Sequence, residues 1–214
     1  ILPDLTAGCS MADMADLEKV ENTWKDLSNV MGDGAVTPIT YINSAADLKA
    51  FCGLHDGIVC TSSNADRVLR WAFSKREKVL FFPDQHLGRN TALKMGIPRE
   101  EILEWNRELP FGGQTPEAIR KARVILWNGF CSVHMMFQPQ HILHFRKQYP
   151  DIRVIVHPEC TEEVVALADE NGSTEHIIKT VTASPAGSIW AVGTELNLVN
   201  RLKRNNPDKT VFFL

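Results

Sequence analysis

The sequence lacks long apolar runs, clusters of basic residues and Cys-x-x-Cys pairs. Its longest apolar stretches, such as residues 79–82, fall far short of the roughly 20 residues that a membrane-spanning helix needs. With 23 basic and 26 acidic side chains its formal charge is −3, and with no basic run nothing in the sequence suggests the phosphate-neutralising surface that nucleic-acid binding requires. These absences predict a globular protein whose main partner is neither a membrane nor a nucleic acid.

The first residues and the cysteines both argue against a small secreted domain. The chain opens with Ile1, and no charged segment followed by an apolar one comes after it, which indicates the middle of a longer chain and not a signal peptide. The five cysteines, at positions 9, 52, 60, 131 and 160, are an odd number and widely spread, unlike a disulfide framework. We therefore expect a reducing, cytoplasmic location.

Short β-rich runs alternate with amphipathic stretches along the chain. This alternation favours an α/β fold with parallel sheets covered by helices on both faces, whose ligands gather at the carboxyl ends of the strands. The predicted strands are 37–42, 58–61, 78–82, 124–127, 153–156, 188–192 and 210–213, and the predicted helices are 14–27, 45–51, 65–73, 141–148, 162–170 and 196–204.

A stretch rich in proline and glycine, residues 108–116, predicts a domain boundary between it and Cys131. The two halves of the chain are weakly alike, since each opens near a cysteine that is followed by helix, strand, helix and strand. An internal duplication is therefore one interpretation, which so loose a pattern leaves open.

Cys9 stands directly before a predicted amphipathic helix. The positive end of a helix dipole lowers the pKa of a thiol and favours the thiolate, which makes Cys9 a candidate metal ligand. The alternative is a small side chain at a tight turn, with Ser10 as the helix N-cap.

Cys131 and His134 lie in a loop that follows a predicted strand, where ligands are expected. The Cys-x-x-His spacing suits metal binding, but a structural zinc site would need a second such pair, so a zinc finger is excluded. Cys160, between a predicted strand and a predicted helix, is a reserve ligand. Cys52 and Cys60 fall on a predicted helix and a predicted strand and are expected in the core.

Hydroxyl and amide side chains follow several predicted strands. The stretches 41–44, 61–64 and 172–174 can each bind a carboxylate or phosphate at a helix N-terminus, although any one of them can equally be a simple cap. His157 and Glu159 are spaced to fall on one side of a strand, where they can move protons, or else lie on an exposed edge. Arg89 can meet an anion or start a solvated helix.

Eight short motifs, in order and spacing along nearly the whole chain, resemble the quinolinate synthase family. They are Gly8-Cys9-Ser10-Met11-Ala12, Tyr41-Ile42-Asn43-Ser44, Cys60-Thr61-Ser62-Ser63-Asn64-Ala65, Pro83-Asp84-Gln85-His86-Leu87-Gly88, Gly129-Phe130-Cys131-Ser132-Val133-His134, His157-Pro158-Glu159-Cys160, Gly172-Ser173-Thr174 and Val192-Gly193-Thr194-Glu195.

The resemblance implies an enzyme of NAD biosynthesis that condenses iminoaspartate with dihydroxyacetone phosphate to quinolinate, with loss of phosphate and water. It implies repeated three-layer α/β/α domains with short parallel sheets, pseudo-symmetric around a central site. Residues 1–10 would end a truncated first domain, residues 11–128 would form the second and residues 129–214 the third. A [4Fe-4S] cluster held by three cysteines would leave one iron open as a Lewis acid.

Carried over by position, Cys9 and Cys131 match two cluster ligands, and the third cysteine is expected beyond Leu214. The resemblance places catalysis at Tyr41, His134 and Glu159. The family's N-terminal segment, with a His and a Tyr that contact substrate, has no counterpart before Ile1. The residues that match substrate-binding positions are Tyr41, Asn43, Ser62, His157, Glu159, Ser173 and Thr174.

The resemblance also suggests functional coupling to an L-aspartate-oxidising enzyme as the source of the imine. Two other functions stay open on the residues alone. One is a non-catalytic α/β module that binds a phosphorylated metabolite through its Ser and Thr residues. The other is a zinc hydrolase that uses Cys131, His134 and His157, although it lacks the short ligand pair usual on one helix.

Overall fold

The computed structural model describes residues 8–214 and divides the chain into two compact units, one ending at Cys131 and the other beginning at Ser132. Each unit is a parallel sheet between two layers of helices, which confirms the predicted α/β class. The predicted boundary after residue 128 stays a prediction, three residues from this division. None of the helices within 8–214 is long and apolar enough to cross a bilayer.

The first unit contains a five-stranded sheet in the order β2-β1-β3-β5-β4, with all pairs parallel. Short 3-10 helices lie at Ala12–Met14, Arg99–Glu101 and Pro110–Gly113. The strands are β1 (Val36–Tyr41), β2 (Ile58–Cys60), β3 (Lys78–Phe82), β4 (Ile102–Trp105) and β5 (Val124–Trp127), and the helices are α1 (Leu17–Met31), α2 (Ala46–Leu54), α3 (Ala65–Lys75), α4 (Gln85–Lys94) and α5 (Pro116–Lys121).

Alternate side chains of the central strand β3 enter two separate cores. Val79 and Phe81 pack on α3 and α4 at one face, whereas Leu80 and Phe82 pack on α1, α2 and α5 at the other. All four side chains are fully buried, as the two-residue period of a strand requires when both faces are covered. A continuous apolar run in the sequence therefore marks a strand inside three layers.

The second unit contains a four-stranded parallel sheet in the order β7-β6-β8-β9. Helices α6 and α7 cover one face of it, and α8 and α9 cover the other. A 3-10 helix lies at His134–Met136, the strands are β6 (Arg153–Val156), β7 (Glu170–Asn171), β8 (Ile189–Gly193) and β9 (Thr210–Phe213), and the helices are α6 (Pro139–Gln148), α7 (Glu162–Leu167), α8 (Thr174–Ala183) and α9 (Leu196–Asn205).

Both sheets reverse their strand order beside the first strand of the unit. In the first unit β1 lies between β2 and β3, and in the second β6 lies between β7 and β8. Such switch points leave a crevice at the carboxyl ends of the two flanking strands, where ligands of open α/β sheets bind. The shared order is also what an internal duplication would produce.

The structure corrects the predicted start of the first helix. Helix α1 begins at Leu17, and its N-cap Asp16 accepts a hydrogen bond from the Lys19 backbone N–H at 2.8 Å. Cys9 therefore does not stand directly before α1, because the 3-10 helix Ala12–Met14 intervenes, and Ser10 is not the cap. The helix-dipole argument for a Cys9 thiolate is wrong, since that field fades within one turn of a helix end.

Candidate functional site

In the first unit, Tyr41 ends β1 and lies inside a core cluster. Its side chain is 5% exposed and shares this cluster with Met11 and Cys60, and the half-buried Cys131 packs against the same cluster. The structure thus brings together parts of three sequence motifs, those around Cys9, Tyr41 and Cys131. Of these residues Tyr41 has the phenol that can donate or accept a proton.

The polar turns after β1 and β2 lie next to each other at the sheet edge, because β1 and β2 are paired in parallel. Asn43 is exposed in the bend that leads to α2. Ser62 is half-buried in the turn before α3, where the Asn64 amide oxygen accepts from the Thr61 backbone N–H at 2.7 Å. The Asn64 side chain therefore orders this turn and does not cap α3.

Cys131 ends a loop that hydrogen bonds hold from strand β4, from the first residue of helix α4 and from the side chain of Arg107. The Asn128 N–H donates to the Trp105 carbonyl at 3.1 Å, and the Gln85 N–H donates to the Gly129 carbonyl at 2.9 Å. The Arg107 guanidinium donates to the Asn128 carbonyl at 2.9 Å. The loop is thus held at the ends of β3, β4 and β5.

Met14 joins the segment that carries Cys9 to the loop that carries Cys131. The Trp127 indole N–H donates to the Met14 carbonyl at 2.9 Å, and the Phe130 N–H donates to the Met14 sulfur at 3.4 Å. The Cys9 carbonyl accepts from the Asp13 N–H at 3.1 Å, which ties the cysteine to the same short segment. Two of the predicted ligands therefore stand on chain segments that pack on each other.

The cysteines differ in their access to a metal. Among residues 8–214, Cys9 is exposed and Cys131 half-buried, and both carry free thiols. Burial raises the pKa of the Cys52 thiol to about 12, so this side chain stays protonated and is a poor ligand. Cys60 is buried, and Cys160 is buried with its sulfur 3.8 Å from the Gly193 carbonyl, so both serve in the core.

In the second unit, His134, His157 and Glu159 form one buried cluster. The His134 Nδ1 lies 3.0 Å from Glu159 Oε2. The two imidazole rings stack with their centroids 4.6 Å apart and an interplanar angle of 18°. His157 and Glu159 are each 3% exposed, so the alternative of an exposed edge is wrong.

His157 is neutral near pH 7. Its pKa is lowered to about 4, chiefly by burial; the negative charge of Glu159 opposes the shift, and the nearby His134 adds to it. The Glu159 backbone N–H donates to the His157 Nδ1 at 3.3 Å. The neutral ring therefore carries its proton on Nε2, which makes it a hydrogen-bond donor for an anionic group.

Thr194 is a residue of this cluster that the analysis of individual residues did not single out. Its hydroxyl lies 3.3 Å from the His134 Nε2, and its side chain is 3% exposed. The signal in the sequence was the Gly193-Thr194 pair at the end of an apolar strand. Because the pair directly follows the predicted strand 188–192, the sequence marks it only as part of a family motif.

The third polar turn, 172–174, opens α8 beside the same end of the sheet. The buried Ser173 is the N-cap of α8 and accepts from the His176 N–H at 3.3 Å, whereas Thr174 is exposed. A cavity of about 380 Å³ lies here, and its two arginines suit an anionic ligand. Its walls are formed by Thr174, Thr194, Glu195, Asn197, Leu198, Arg201 and Arg204.

Arg89 belongs to a buried helix and not to a solvated helix start. Its guanidinium is ion-paired with Glu104 and donates to the Gln85 amide oxygen at 3.1 Å. Helix α4 also buries the polar side chains of His86 and Asn90. The Arg89 charge thus links α4 to the neighbouring strand β4.

Comparisons with known proteins agree with the resemblance seen in the motifs. The family model described as "NadA: Quinolinate synthetase A protein" matches residues 1–214. The quinolinate synthase of Herpetosiphon aurantiacus is 60% identical over 214 residues, which cover 99% of this chain and 57% of that relative. Those of Rhodopirellula baltica and Corynebacterium glutamicum are 58% and 55% identical, with 55% and 54% of their lengths covered. The chain spans a little more than half the length of these curated relatives.

Proposed function

Because the chain belongs to the quinolinate synthetase A family, we propose that the protein is a quinolinate synthase, an enzyme of NAD biosynthesis. It would condense iminoaspartate with dihydroxyacetone phosphate to quinolinate, with loss of phosphate and water. The observation that carries this proposal is the buried cluster of His134, His157 and Glu159 at the switch point of the second sheet. Acid–base groups at such a crevice are what a dehydrating condensation needs.

The substrates are small polyanions, and the polar strand ends suit them. Neutral His157 keeps an Nε2–H to donate to a carboxylate or phosphate without the cost of a buried cation. Glu159 and His134 would exchange protons with substrate, and Tyr41 would move a proton on the side of the first sheet. The residues that would bind substrate are Tyr41, Asn43, Ser62, His157, Glu159, Ser173 and Thr174.

Cys9 and Cys131 would be two of three ligands of a [4Fe-4S] cluster. Their donor chemistry fits, because thiolates are the usual ligands of such clusters and these two are the accessible thiols of the first unit. The contacts of Met14 with Trp127 and Phe130 support the fit by joining the two segments. When bound, the cluster supplies an iron with an open position that acts as a Lewis acid.

Iminoaspartate is the imine that results from oxidation of L-aspartate, and imines hydrolyse in water. Functional coupling to an L-aspartate-oxidising enzyme in the cytoplasm would therefore supply the substrate before it is lost. The coupling and the cytoplasmic location are both part of the proposal and rest on the chemistry of the substrate.

Anaerobic reconstitution of the protein at its full natural length tests the cluster ligands. We expect a brown protein with about four irons, and Cys9→Ala or Cys131→Ala should abolish the cluster because each removes one of three ligands. Cys52→Ala, in the same unit, and Cys160→Ala, in the other, are matched controls that should keep it, since both sulfurs lie in the core.

Three outcomes contradict the proposal. A full cluster in both the Cys9→Ala and Cys131→Ala variants removes the ligand assignment. Binding of a phosphorylated metabolite that needs neither iron nor these cysteines favours the non-catalytic module. Zinc that survives aerobic purification, measured by metal analysis, favours the hydrolase.

A further inference from the structure

We infer that Thr194 is a positioning residue that fixes the tautomer and ring orientation of His134 beside Glu159. The inference rests on the proposed function, because it gives His134 a part in proton transfer. The Thr194 hydroxyl lies 3.3 Å from one ring nitrogen of His134, and Glu159 lies 3.0 Å from the other. Together the two contacts define the orientation of the imidazole ring, with Nδ1 towards Glu159 and Nε2 towards Thr194.

The backbone at Thr194 is held by the register of the sheet. Gly193, the last residue of β8, pairs with Val156 of β6, and its carbonyl accepts from the His157 N–H at 2.9 Å. A Cβ at Gly193 would stand 2.9 Å from the Val156 side chain, so glycine permits the close approach of these strands. Thr194 is therefore fixed relative to His157 and the Glu159 loop.

His134 is held less firmly by its own backbone. It starts a three-residue 3-10 helix, His134–Met136, whose N-cap Val133 makes no side-chain capping bond. A turn of this length supplies few backbone hydrogen bonds of its own. The orientation of the ring thus depends on its side-chain contacts, and Thr194 provides one of them from the position directly after β8.

The two contacts suggest where the proton of the ring lies. A Glu159 carboxylate would favour a proton on the near nitrogen, His134 Nδ1, and a neutral ring would then present a lone pair at Nε2 to the Thr194 hydroxyl. The Thr194 O–H donates to that lone pair. Removing the hydroxyl removes this donor, and the ring can then rotate by half a turn or adopt the other tautomer, at which point its proton no longer faces Glu159.

Thr194 also lines the cavity of about 380 Å³ whose walls include Thr174, Arg201 and Arg204. It therefore lies between a pocket suited to an anion and the imidazole of His134. If its role is positioning, its loss should lower kcat and leave KM nearly unchanged. If its hydroxyl chiefly binds substrate, its loss should raise KM instead.

Steady-state kinetics of the reconstituted enzyme at full natural length tests the inference. Thr194→Val keeps the shape and removes the hydroxyl, and we expect kcat to fall about 10- to 100-fold, the cost of one buried hydrogen bond to a reacting group, with KM and iron content unchanged. Thr194→Ser keeps the hydroxyl and should restore kcat to within about threefold of the wild type. Equal losses in both variants, an unchanged kcat in Thr194→Val or a rise in KM alone would overturn the positioning role.

A second readout does not depend on catalysis. In the cluster-free protein labelled with ¹⁵N-histidine, long-range ¹H–¹⁵N spectra report the tautomer of each ring, and a His134→Asn variant assigns the signal. We expect the Nδ1–H form of His134 in the wild type and in Thr194→Ser, and a mixture in Thr194→Val. If the tautomer of His134 shifts in Thr194→Val but the wild type forms no quinolinate, the positioning role stands and the proposed function is rejected. An unshifted tautomer would reject the positioning role alone.

Discussion

At the scale of single residues, the neutral His157 makes the second unit sensitive to acid. Its pKa is about 4 in the folded protein against 6.5 for the free side chain. Between these values the unfolded chain binds a proton that the folded chain does not, so the free energy of unfolding falls as the pH is lowered from 6.5 to 4. The total loss is on the order of 3 kcal/mol, and above pH 6.5 the contribution is constant.

Urea unfolding at several pH values checks this expectation. The control is His157→Gln, which keeps a polar side chain and does not titrate. The stability difference between wild type and variant should shrink on going from pH 7 to pH 4.5, because other titrating groups cancel in the comparison. A difference that stays constant over this range would show that His157 is protonated with its ordinary pKa.

Sequence reasoning found most of the buried cluster and could not have found its geometry. His157 and Glu159 were predicted as partners because they are two residues apart, and the structure places them in contact. The stacking of His134 on His157 joins residues far apart in the chain, so only tertiary packing creates it. For Cys9 the local prediction itself failed, because the effect of a helix N-terminus on the thiol was assigned to a helix that begins only at Leu17.

At the scale of helices and strands, prediction succeeded where the apolar pattern is clean. Strands β3, β5, β6 and β9 have the predicted bounds because each is a short run rich in β-branched or aromatic residues. Helix α4 was missed because it buries His86, Arg89 and Asn90, which erases the amphipathic pattern. Helix α8 is rich in β-branched residues and was not predicted. Strand β7 has only two residues, and the predicted helix 162–170 extends into the first of them.

The loop that carries Cys131 depends on a glycine at its start. A Cβ at Gly129 would stand 2.3 Å from the Pro83 backbone carbonyl, which cannot move without displacing the end of β3. We expect Gly129→Ala to lower the free energy of unfolding by about 2 kcal/mol or more and to speed the reaction of the Cys131 thiol with a chromogenic disulfide. The measurements are urea unfolding and thiol kinetics.

Gly53, in helix α2, provides the matched control for the same substitution. Nothing lies within 4 Å of a Cβ placed there, so Gly53→Ala should raise stability by up to about 1 kcal/mol through helix propensity. It should leave Cys131 reactivity unchanged. If Gly129→Ala behaves like Gly53→Ala, the contact with Pro83 does not set the position of the loop.

At the scale of the whole molecule, the sequence predicted the fold class and not the strand order. Alternating strand and helix already implies parallel sheets, and the structure confirms this in both units. The insertion of β5 between β3 and β4 is decided by which faces pack together, and no local pattern encodes it. The rule that ligands bind at carboxyl strand ends transfers nevertheless, because it holds for any order that contains a switch point.

That rule makes a prediction for both units at once, which hydrogen–deuterium exchange of the reconstituted full-length protein can test with quinolinate as the probe. Quinolinate carries two carboxylates, so it should slow exchange in the turns 42–44 and 61–64 of the first unit and in 157–159 and 172–174 of the second. Turns at the opposite ends of the strands, 76–77 and 151–152, should exchange at unchanged rates and serve as internal controls.

Nicotinate, which has the same ring with one carboxylate, is the matched ligand control and should protect the same turns more weakly at equal concentration. Protection is expected in both units because each sheet presents polar side chains at its switch point, and a dianion bound by hydrogen-bond donors immobilises the backbone that carries them. If protection appears at the amino ends of the strands, the site assignment is wrong in both units. If it appears in the second unit alone, and inorganic phosphate reproduces it, the observation supports a phosphate-binding module, because a condensing enzyme must hold both carboxylates of its product.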